Sequence, residues 1–159
     1  MSIAQPDFES SEARTEAVRA LEAEFGELIN RVRLLLSENA QRVSPGMLPG
    51  AYKVFTTIVR RESITLSGLA ESLMADKGQI SRTVRELEGL GLIVRTPDPE
   101  DGRSHLLSPT AEGITRLEAA RAPQESTLLN TLADWSIDDV RNLTRLLHAL
   151  TLGESPRRS

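Results

Sequence analysis

Apolar residues recur at steps of three and four along most of this chain, which is the spacing of one helical face. In residues 12–40 this stripe includes Leu21, Phe25, Leu28 and Val32 and predicts one long helix. At about 1.5 Å per residue, such a helix spans about 40 Å, which is more than a small core needs. The surplus length favours packing against a second chain, the alternative being a helix that lies over its own domain.

A break at residues 44–50, SPGMLPG, separates the long helix from a second one, whose inward positions include Phe55 and Ile58. An extended piece and a short third helix are predicted next. Ser67 is the predicted N-cap of that helix, the residue whose side chain accepts from the first free backbone N–H groups.

Residues 75–93, ADKGQISRTVRELEGLGLI, predict a fourth helix with defined ends. Asp76 and Gln79 have the spacing of a capping box, so the helix is expected to start at Lys77. The glycines at 89–91 predict its end, because glycine accepts the left-handed conformation of a C-terminal cap. One stripe of this helix is apolar and is predicted to be buried: Ile80, Val84 and Leu87.

A β-hairpin is predicted after the fourth helix, with strands at 92–96 and 103–108 around the loop PDPEDG. Thr110 is expected to cap a further helix, which Pro123 interrupts. A last helix begins after Ser136 and carries an apolar stripe: Val140, Leu143, Leu146, Leu147 and Leu150. The pattern as a whole is mainly α with one small β element.

Composition excludes several function classes. The chain has no cysteine and only two histidines, His105 and His148, with no acidic cluster at ligand spacing beside them. We therefore predict no metal site, no cofactor and no enzymatic nucleophile. No apolar run approaches the ~18 residues of a membrane span, and the N-terminus lacks the pattern of a secretion signal. The expected location is cytoplasmic, without a membrane partner.

The outward face of the fourth helix is basic, although the chain carries a formal net charge of -4. At 100° per residue, this face holds Gln79, Ser81, Arg82 and Arg85, with Lys77 at its N-terminal edge. Arginine and glutamine can read guanine and adenine edges by paired hydrogen bonds. With the third helix, this one is predicted to form a helix-turn-helix, and units of that kind place their second helix in a DNA major groove. The alternative is an ordinary solvated helix face.

The hairpin completes a winged helix, because it follows the helix-turn-helix directly. Arg103 lies just past the loop tip, and narrow A·T-rich minor grooves attract arginine. We predict that Arg103 enters such a groove and that Asp101 orients its guanidinium by a bidentate pair. The alternative is that Asp101 and Arg103 only stabilise the hairpin.

Residues 69–113 resemble the core of the MarR family of bacterial transcriptional regulators. The matching features are Leu69-Ala70, the run from Asp76 to Leu87, GLI at 91–93, the Asp-x-Arg of PDPEDGR and TAEG at 110–113. The order of elements agrees over about residues 15–152. The resemblance implies a winged helix-turn-helix flanked by N- and C-terminal dimerisation helices, a homodimer on a pseudo-palindromic operator of double-stranded DNA, and a small organic effector bound between the dimer helices and the winged helix.

One domain is predicted over residues 12–152, with dimerisation helices at 12–43 and 111–152 and the winged helix at 48–110. Residues 1–11 are predicted to be a disordered tail and 153–159 a C-terminal tail. The predicted function is a homodimeric, operator-binding transcription regulator that a ligand releases.

The rival interpretation is a winged-helix protein-interaction module without DNA binding. The acidic net charge favours it, as does Gly102, because the family commonly has a second basic residue there. Pro109 also departs from the family, which usually has a large aliphatic residue at this position, and it puts the step from strand to helix in doubt.

Overall fold

A computed structural model describes residues 6–156 of the chain, with side chains from residue 11 onwards. The helices are α1 (Pro6–Val43), α2 (Pro49–Arg61), α3 (Leu66–Leu73), α4 (Lys77–Gly89), α5 (Ala111–Thr131) and α6 (Ile137–Leu152). The strands are β1 (Ile64–Thr65), β2 (Ile93–Pro97) and β3 (His105–Pro109). The predicted fold, mainly α with a small β-wing, is confirmed.

The first helix is longer than predicted, because α1 begins at Pro6 and not at residue 12. Proline suits the first helical position, because its fixed φ matches the helix and because a backbone N–H there would have no partner within the helix. Residues 6–11 of the predicted disordered tail are therefore helical. The other predicted tail residues at the two ends, 1–5 and 157–159, lie outside the described residues.

The N-cap of α3 is Thr65, so the prediction of Ser67 is wrong. The Thr65 hydroxyl accepts a hydrogen bond from the Gly68 backbone N–H at 3.1 Å, and Ser67 lies inside the first helical turn. Thr65 ends β1, where Ile64 and Thr65 pair with β3. The chain is therefore already extended at Thr65, which is the backbone conformation that an N-cap requires.

Pro123 does not interrupt α5, contrary to prediction, and the helix runs from Ala111 to Thr131. A proline inside a helix removes one N–H donor, and here the turns on both sides keep the helical conformation. The chain divides into two compact units within this helix, the first ending at Ala120 and the second beginning at Arg121.

The second unit includes the predicted cap of α6. The Ser136 hydroxyl accepts from the Asp139 backbone N–H at 3.1 Å and donates to the Asp139 carboxylate at 2.6 Å. The helix ends where Gly153 takes a positive φ of 68°. Both ends of α6 are therefore fixed by local sequence.

The core of the first unit lies between α2, α3, α4 and the sheet. Its fully buried large side chains come from all of these elements: Phe55, Ile58, Leu69, Val84, Leu87, Leu92 and Leu107. The predicted inward stripe of α4 is buried, since Ile80 is also shielded from solvent. This core holds the outward face of α4 in a fixed orientation.

The three-stranded antiparallel sheet has the order β1-β3-β2, and its prolines cost no ladder hydrogen bonds between β2 and β3. Asp98 N donates to the Ser104 carbonyl and Thr110 N to the Leu92 carbonyl, each at 3.0 Å. Hydrogen-bonded and non-hydrogen-bonded pairs alternate along an antiparallel ladder. Pro97 and Pro109, opposite His105 and Ile93, therefore both fall in non-hydrogen-bonded pairs. Pro109 thus fits β3, and the step into α5 is intact.

The start of α5 is locked to the turn that follows α4. The Thr110 hydroxyl donates to the Gly91 carbonyl at 2.6 Å and accepts from Gly113 N at 2.9 Å, which confirms Thr110 as the cap. Gly113 lies against the Leu92 main chain, and a Cβ there would be 2.2 Å from the Leu92 carbonyl oxygen. Only glycine permits this approach.

We expect Gly113→Ala to lower the free energy of unfolding by about 3 kcal/mol, the upper end of the usual cost of overpacking. The clash is with a backbone carbonyl, which cannot rotate away as a side chain can. Gly89→Ala is the control, because a Cβ at Gly89 meets no heavy atom within 4 Å. Denaturant unfolding of both variants at one protein concentration gives the comparison, and equal stability of the two would contradict the close approach.

Candidate nucleic-acid interface

The fourth helix is held at both ends by the contacts that its sequence predicts. At the N-terminus, the Asp76 carboxylate accepts from Gln79 N at 2.9 Å. At the C-terminus, Gly91 has a φ of 73°, and Leu92 N donates to the Leu87 carbonyl at 3.1 Å. This is the six-to-one hydrogen bond of a glycine-terminated helix. The helix that carries the candidate DNA-reading residues therefore has a fixed length and a fixed start.

The structure places the predicted basic face of α4 on the surface. Lys77, Gln79, Arg82 and Arg85 are exposed, whereas Ser81 is half-buried. The ion pairs found between residues 11 and 156 include none of the three cations. Their charges are therefore available to an anionic partner, and Ser81 is the least accessible of the five predicted contacts.

The two aspartates of the wing loop accept hydrogen bonds from its own backbone. Asp98 Oδ1 accepts from Glu100 N at 2.9 Å, and Asp101 Oδ1 accepts from Arg103 N at 3.1 Å. These are Asx turns, in which a carboxylate two residues earlier fixes the main chain. The carboxylates thus shape the loop that presents Arg103.

The side chain of Arg103 is exposed, and it forms no ion pair among the residues that the structure describes. The predicted bidentate pair with Asp101 is therefore replaced by the contact to Arg103 N. A spacing of two residues brings a carboxylate to the backbone N–H more readily than to the far end of a long side chain. Asp101 positions Arg103 through the main chain and leaves its guanidinium free.

A bidentate ion pair that the sequence analysis did not identify ties the wing to α4. The Glu88 carboxylate accepts from Arg95 Nε at 3.1 Å and from Arg95 NH2 at 2.9 Å. The side chains are only 29% and 31% exposed, so solvent screens this pair less than a pair on the open surface. Glu88 and Arg95 belong to α4 and β2, so their contact depends on the turn between these elements.

The pair is present across the neutral pH range. The hydrogen bond to Glu88 raises the pKa of the Arg95 guanidinium, and burial acts in the opposite direction with a smaller effect. A cation with a raised pKa stabilises the fold at every pH below its ordinary pKa, and the stabilisation is lost only as the pH rises through the raised value. For an arginine this loss lies far above neutral pH.

The described side chains, those of residues 11–156, form no metal site: no group of three or more His, Cys, Asp or Glu among them could hold a metal ion. No helix in the described part of the chain is both long and apolar enough to cross a membrane. His148, which lies on α6, and His105, on β3, are both exposed.

Comparison with known proteins gives the same family as the motifs. The MarR family model matches residues 49–105, from the start of α2 to the start of β3. A putative transcriptional regulatory protein for the hcr operon of Thauera aromatica is 32% identical over 92 residues, which cover 56% of this chain and 55% of that protein. An uncharacterized HTH-type transcriptional regulator of Mycobacterium leprae is 31% identical over 104 residues, which cover 64% of this chain and 72% of that protein.

A third relative, the uncharacterized HTH-type transcriptional regulator YdgJ of Bacillus subtilis, is 26% identical over 102 residues. The matched part spans 62% of its length, so this chain covers little more than half of the Thauera and Bacillus proteins. All three names describe transcriptional regulators, and none describes an enzyme.

Solved structures share the fold. The MarR family transcription regulator SP03579 matches with a TM-score of 0.75 at 22% identity, over 89% of this chain and 93% of that one. Streptococcus pneumoniae FabT, solved in complex with DNA, matches with a TM-score of 0.72 at 16% identity, over 85% of this chain and 95% of that one. At such identities the likeness concerns the fold alone.

Proposed function

Because this chain belongs to the MarR family, we propose that it is a homodimeric transcription regulator that binds a pseudo-palindromic operator. The observation that carries the proposal is the basic face of α4 beside the Arg103 guanidinium, neither of which forms an ion pair within residues 11–156. An acidic protein with a formal net charge of -4 here presents cations on a helix and a loop that belong to one winged helix. Such a local patch is the electrostatic footprint of a nucleic-acid site.

The outward residues of α4 suit a major groove. Arg82 and Arg85 lie along the middle of the exposed face, where side chains reach base edges, and Gln79 lies one turn earlier. Lys77, at the first turn, is suited to a phosphate because it is a point charge without the planar fork of arginine. Ser81 is half-buried, so its contact is limited to what its hydroxyl can reach from the side of the helix.

The wing suits the neighbouring minor groove. Asx turns fix the loop, and the Arg103 guanidinium is exposed without an acidic partner among the described residues. A narrow, A·T-rich minor groove has an enhanced negative potential that attracts an inserted arginine. FabT of Streptococcus pneumoniae, which has this fold, was solved with DNA, and this likeness supports the same role for the winged helix here.

Apolar stripes outside the winged helix support the homodimer. On α1, exposed side chains include Leu21, Leu28, Ile29, Val32 and Leu35. In the second unit, α6 exposes Leu143, Leu146, Leu147 and Leu150. Monomeric proteins rarely expose apolar patches of more than a few hundred Å². A second copy of the chain would cover both stripes, with an interface above the ~1,000 Å² of a biological contact.

We expect light scattering at micromolar concentration to give twice the 17.5 kDa mass of the chain. Leu146→Glu should shift the protein towards monomer, because it puts a charge into an apolar interface. Arg141→Glu is the matched control, since Arg141 is exposed on the side of α6 opposite to the leucine stripe. A monomeric parent protein would contradict the homodimer.

A cavity beside α4 supports release by a small organic effector. It has a volume of about 990 Å³ and is formed by the connection between α1 and α2, the start of α2 and α4. Its lining combines apolar and basic side chains: Met47, Val54, Leu90, Lys53 and Arg82. Glu86 is the acid among the lining residues, so the lining carries a net positive charge. An aromatic carboxylate fits this chemistry, and it would couple to DNA binding because Arg82 takes part in both.

We expect benzoate or a related aromatic acid to release the operator from the parent protein but not from Gly50→Phe. Gly50 lines the cavity, and a Cβ there meets no heavy atom within 4 Å, so a phenyl ring can occupy the space. Operator affinity without acid should stay within about twofold, as for a surface substitution. A parent that responds to no acid, or a variant that responds as the parent does, would contradict this effector site.

Three alanine variants distinguish base recognition by α4 from minor-groove recognition by the wing. Arg82→Ala and Arg85→Ala should each cost about 1–3 kcal/mol on the operator and relax the preference at one base position per half-site. Arg103→Ala should also weaken binding, and its effect should grow with the A·T content of the flanks. Fluorescence anisotropy on a matched operator series, at one salt concentration, measures all three.

Each failure of this test has its own meaning. An Arg103→Ala loss that is equal on A·T-rich and G·C-rich flanks would make the wing a backbone clamp without groove preference. If the parent shifts a fragment of its own upstream DNA and none of the three variants differs from it, the winged helix is not the DNA site. The rival role, a protein-interaction module, then takes the lead.

A further inference from the structure

A small cleft lies between the start of α3, the start of α4 and the wing. Its volume is about 180 Å³, and its polar lining comes from these three parts of the fold: Ser67, Lys77, Arg95, Arg103, Ser104 and His105. Among the described residues, no aspartate or glutamate lines it, although the chain has 23 acids and 19 lysines and arginines. The cleft is therefore a concavity whose polar groups are cations, hydroxyls and an imidazole, beside the apolar Leu66 and Leu107, in an acidic protein.

Except for Arg95, the polar side chains of the cleft have no hydrogen bond or ion pair among the described residues. Within the described residues, the Ser67 and Ser104 hydroxyls and the ammonium of Lys77 have no hydrogen bond or ion pair. Arg95 uses Nε and one NH2 hydrogen for Glu88, which leaves further guanidinium N–H groups for another acceptor. Four side chains with spare donors thus line one cleft, where an acceptor-rich anion could satisfy them.

The place of the cleft indicates which anion this is. On the proposed function, α4 lies in a major groove and Arg103 in the adjacent minor groove. Adjacent grooves of a duplex are separated by one sugar–phosphate strand, which must cross between α4 and the wing. The cleft lies in this interval, and hydroxyls and cations are the groups that bind phosphate oxygens.

We propose that this cleft is a phosphodiester site, which seats one backbone phosphate of the operator between the recognition helix and the wing. It adds Ser67, Ser104 and His105 to the DNA-contacting residues. The site rests on the proposed function, but it reads no sequence. By holding the strand that separates the two grooves, the site positions α4 and the wing relative to the DNA. Its contribution to affinity should be the same on any duplex.

The first experiment compares two variants with matched controls. Ser67→Ala and His105→Ala remove groups that line the cleft. Ser72→Ala is the control on the same helix, and His148→Ala changes the other histidine of the chain, on α6; both residues are exposed and outside the lining. Each cleft variant removes one hydrogen bond in each subunit of the homodimer, so it should weaken binding about fivefold per subunit, or about 25-fold in all, by the same factor on the operator and on an unrelated duplex. The controls should bind as the parent does.

The second experiment locates the anion on the DNA. Operators that carry one neutral methylphosphonate at successive positions are titrated with the parent and with the Ser67→Ala/His105→Ala double variant. In the parent, neutralising the phosphate between the two grooves should weaken binding. In the double variant the same change should weaken binding by a smaller factor, because two of the contacts to that phosphate are already lost while the cations of the cleft remain. Melting curves of each variant check that the fold is intact.

The outcomes separate the two proposals. If the parent binds the operator and the cleft variants bind it equally well, the phosphodiester site is wrong and the proposed function stands. A loss that is specific to the operator, or one that couples to no single phosphate, also overturns the site. If the folded, dimeric parent protein binds no DNA, both the proposed function and the phosphodiester site are wrong.

Discussion

The close approach of Gly113 to the Leu92 carbonyl is the constraint on which the winged helix depends. Thr110 adds three hydrogen bonds to this contact. Its backbone N–H donates to the Leu92 carbonyl, and its hydroxyl donates to the Gly91 carbonyl and accepts from the Gly113 N–H. The end of α4, the start of β2, the end of β3 and the start of α5 therefore meet within a few atoms. Any of these elements that shifts must break hydrogen bonds of the others. The TAEG motif is explained by this junction, because it supplies the cap and the missing Cβ.

A second tie makes the wing a rigid extension of α4. The Glu88–Arg95 pair joins the last turn of the helix to the middle of β2. The Asx turns then carry this order from the strands to Arg103. The separation between the basic face of α4 and the wing arginine is thus a property of the folded unit. The two aspartates of the wing bind its backbone, and within the described residues neither of them pairs with the Arg103 guanidinium.

Local signals account for what the sequence predicted and non-local contacts for what it did not. Each helix-end signal depends on residues at most four positions apart. The structure confirms three of them: the cap at Asp76, the cap at Thr110 and the positive φ of Gly91. Thr65 was missed because its role as N-cap follows from pairing with β3, about 40 residues away, whereas Ser67 has the right residue type without that context. Glu88 and Arg95 meet only once the turn at Gly91 has folded the strand back. The basic face of α4 followed from periodicity, but the cleft at Ser67 and His105 required three elements to be placed together.

These ties limit how an effector can act in the proposed regulator. The cavity beside α4 and the cleft beside the wing share α4 as a wall, and the helix is joined to the wing at both the Gly91 turn and the Glu88–Arg95 pair. A ligand that displaces α4 must therefore move the wing with it, since the alternative is to break a half-buried bidentate pair and the glycine junction together. Packed elements of this kind respond by discrete shifts and not by gradual deformation. In a dimer on a two-fold operator, displacing each winged helix as one body would misplace base contacts, the backbone phosphate and the minor-groove arginine in one step.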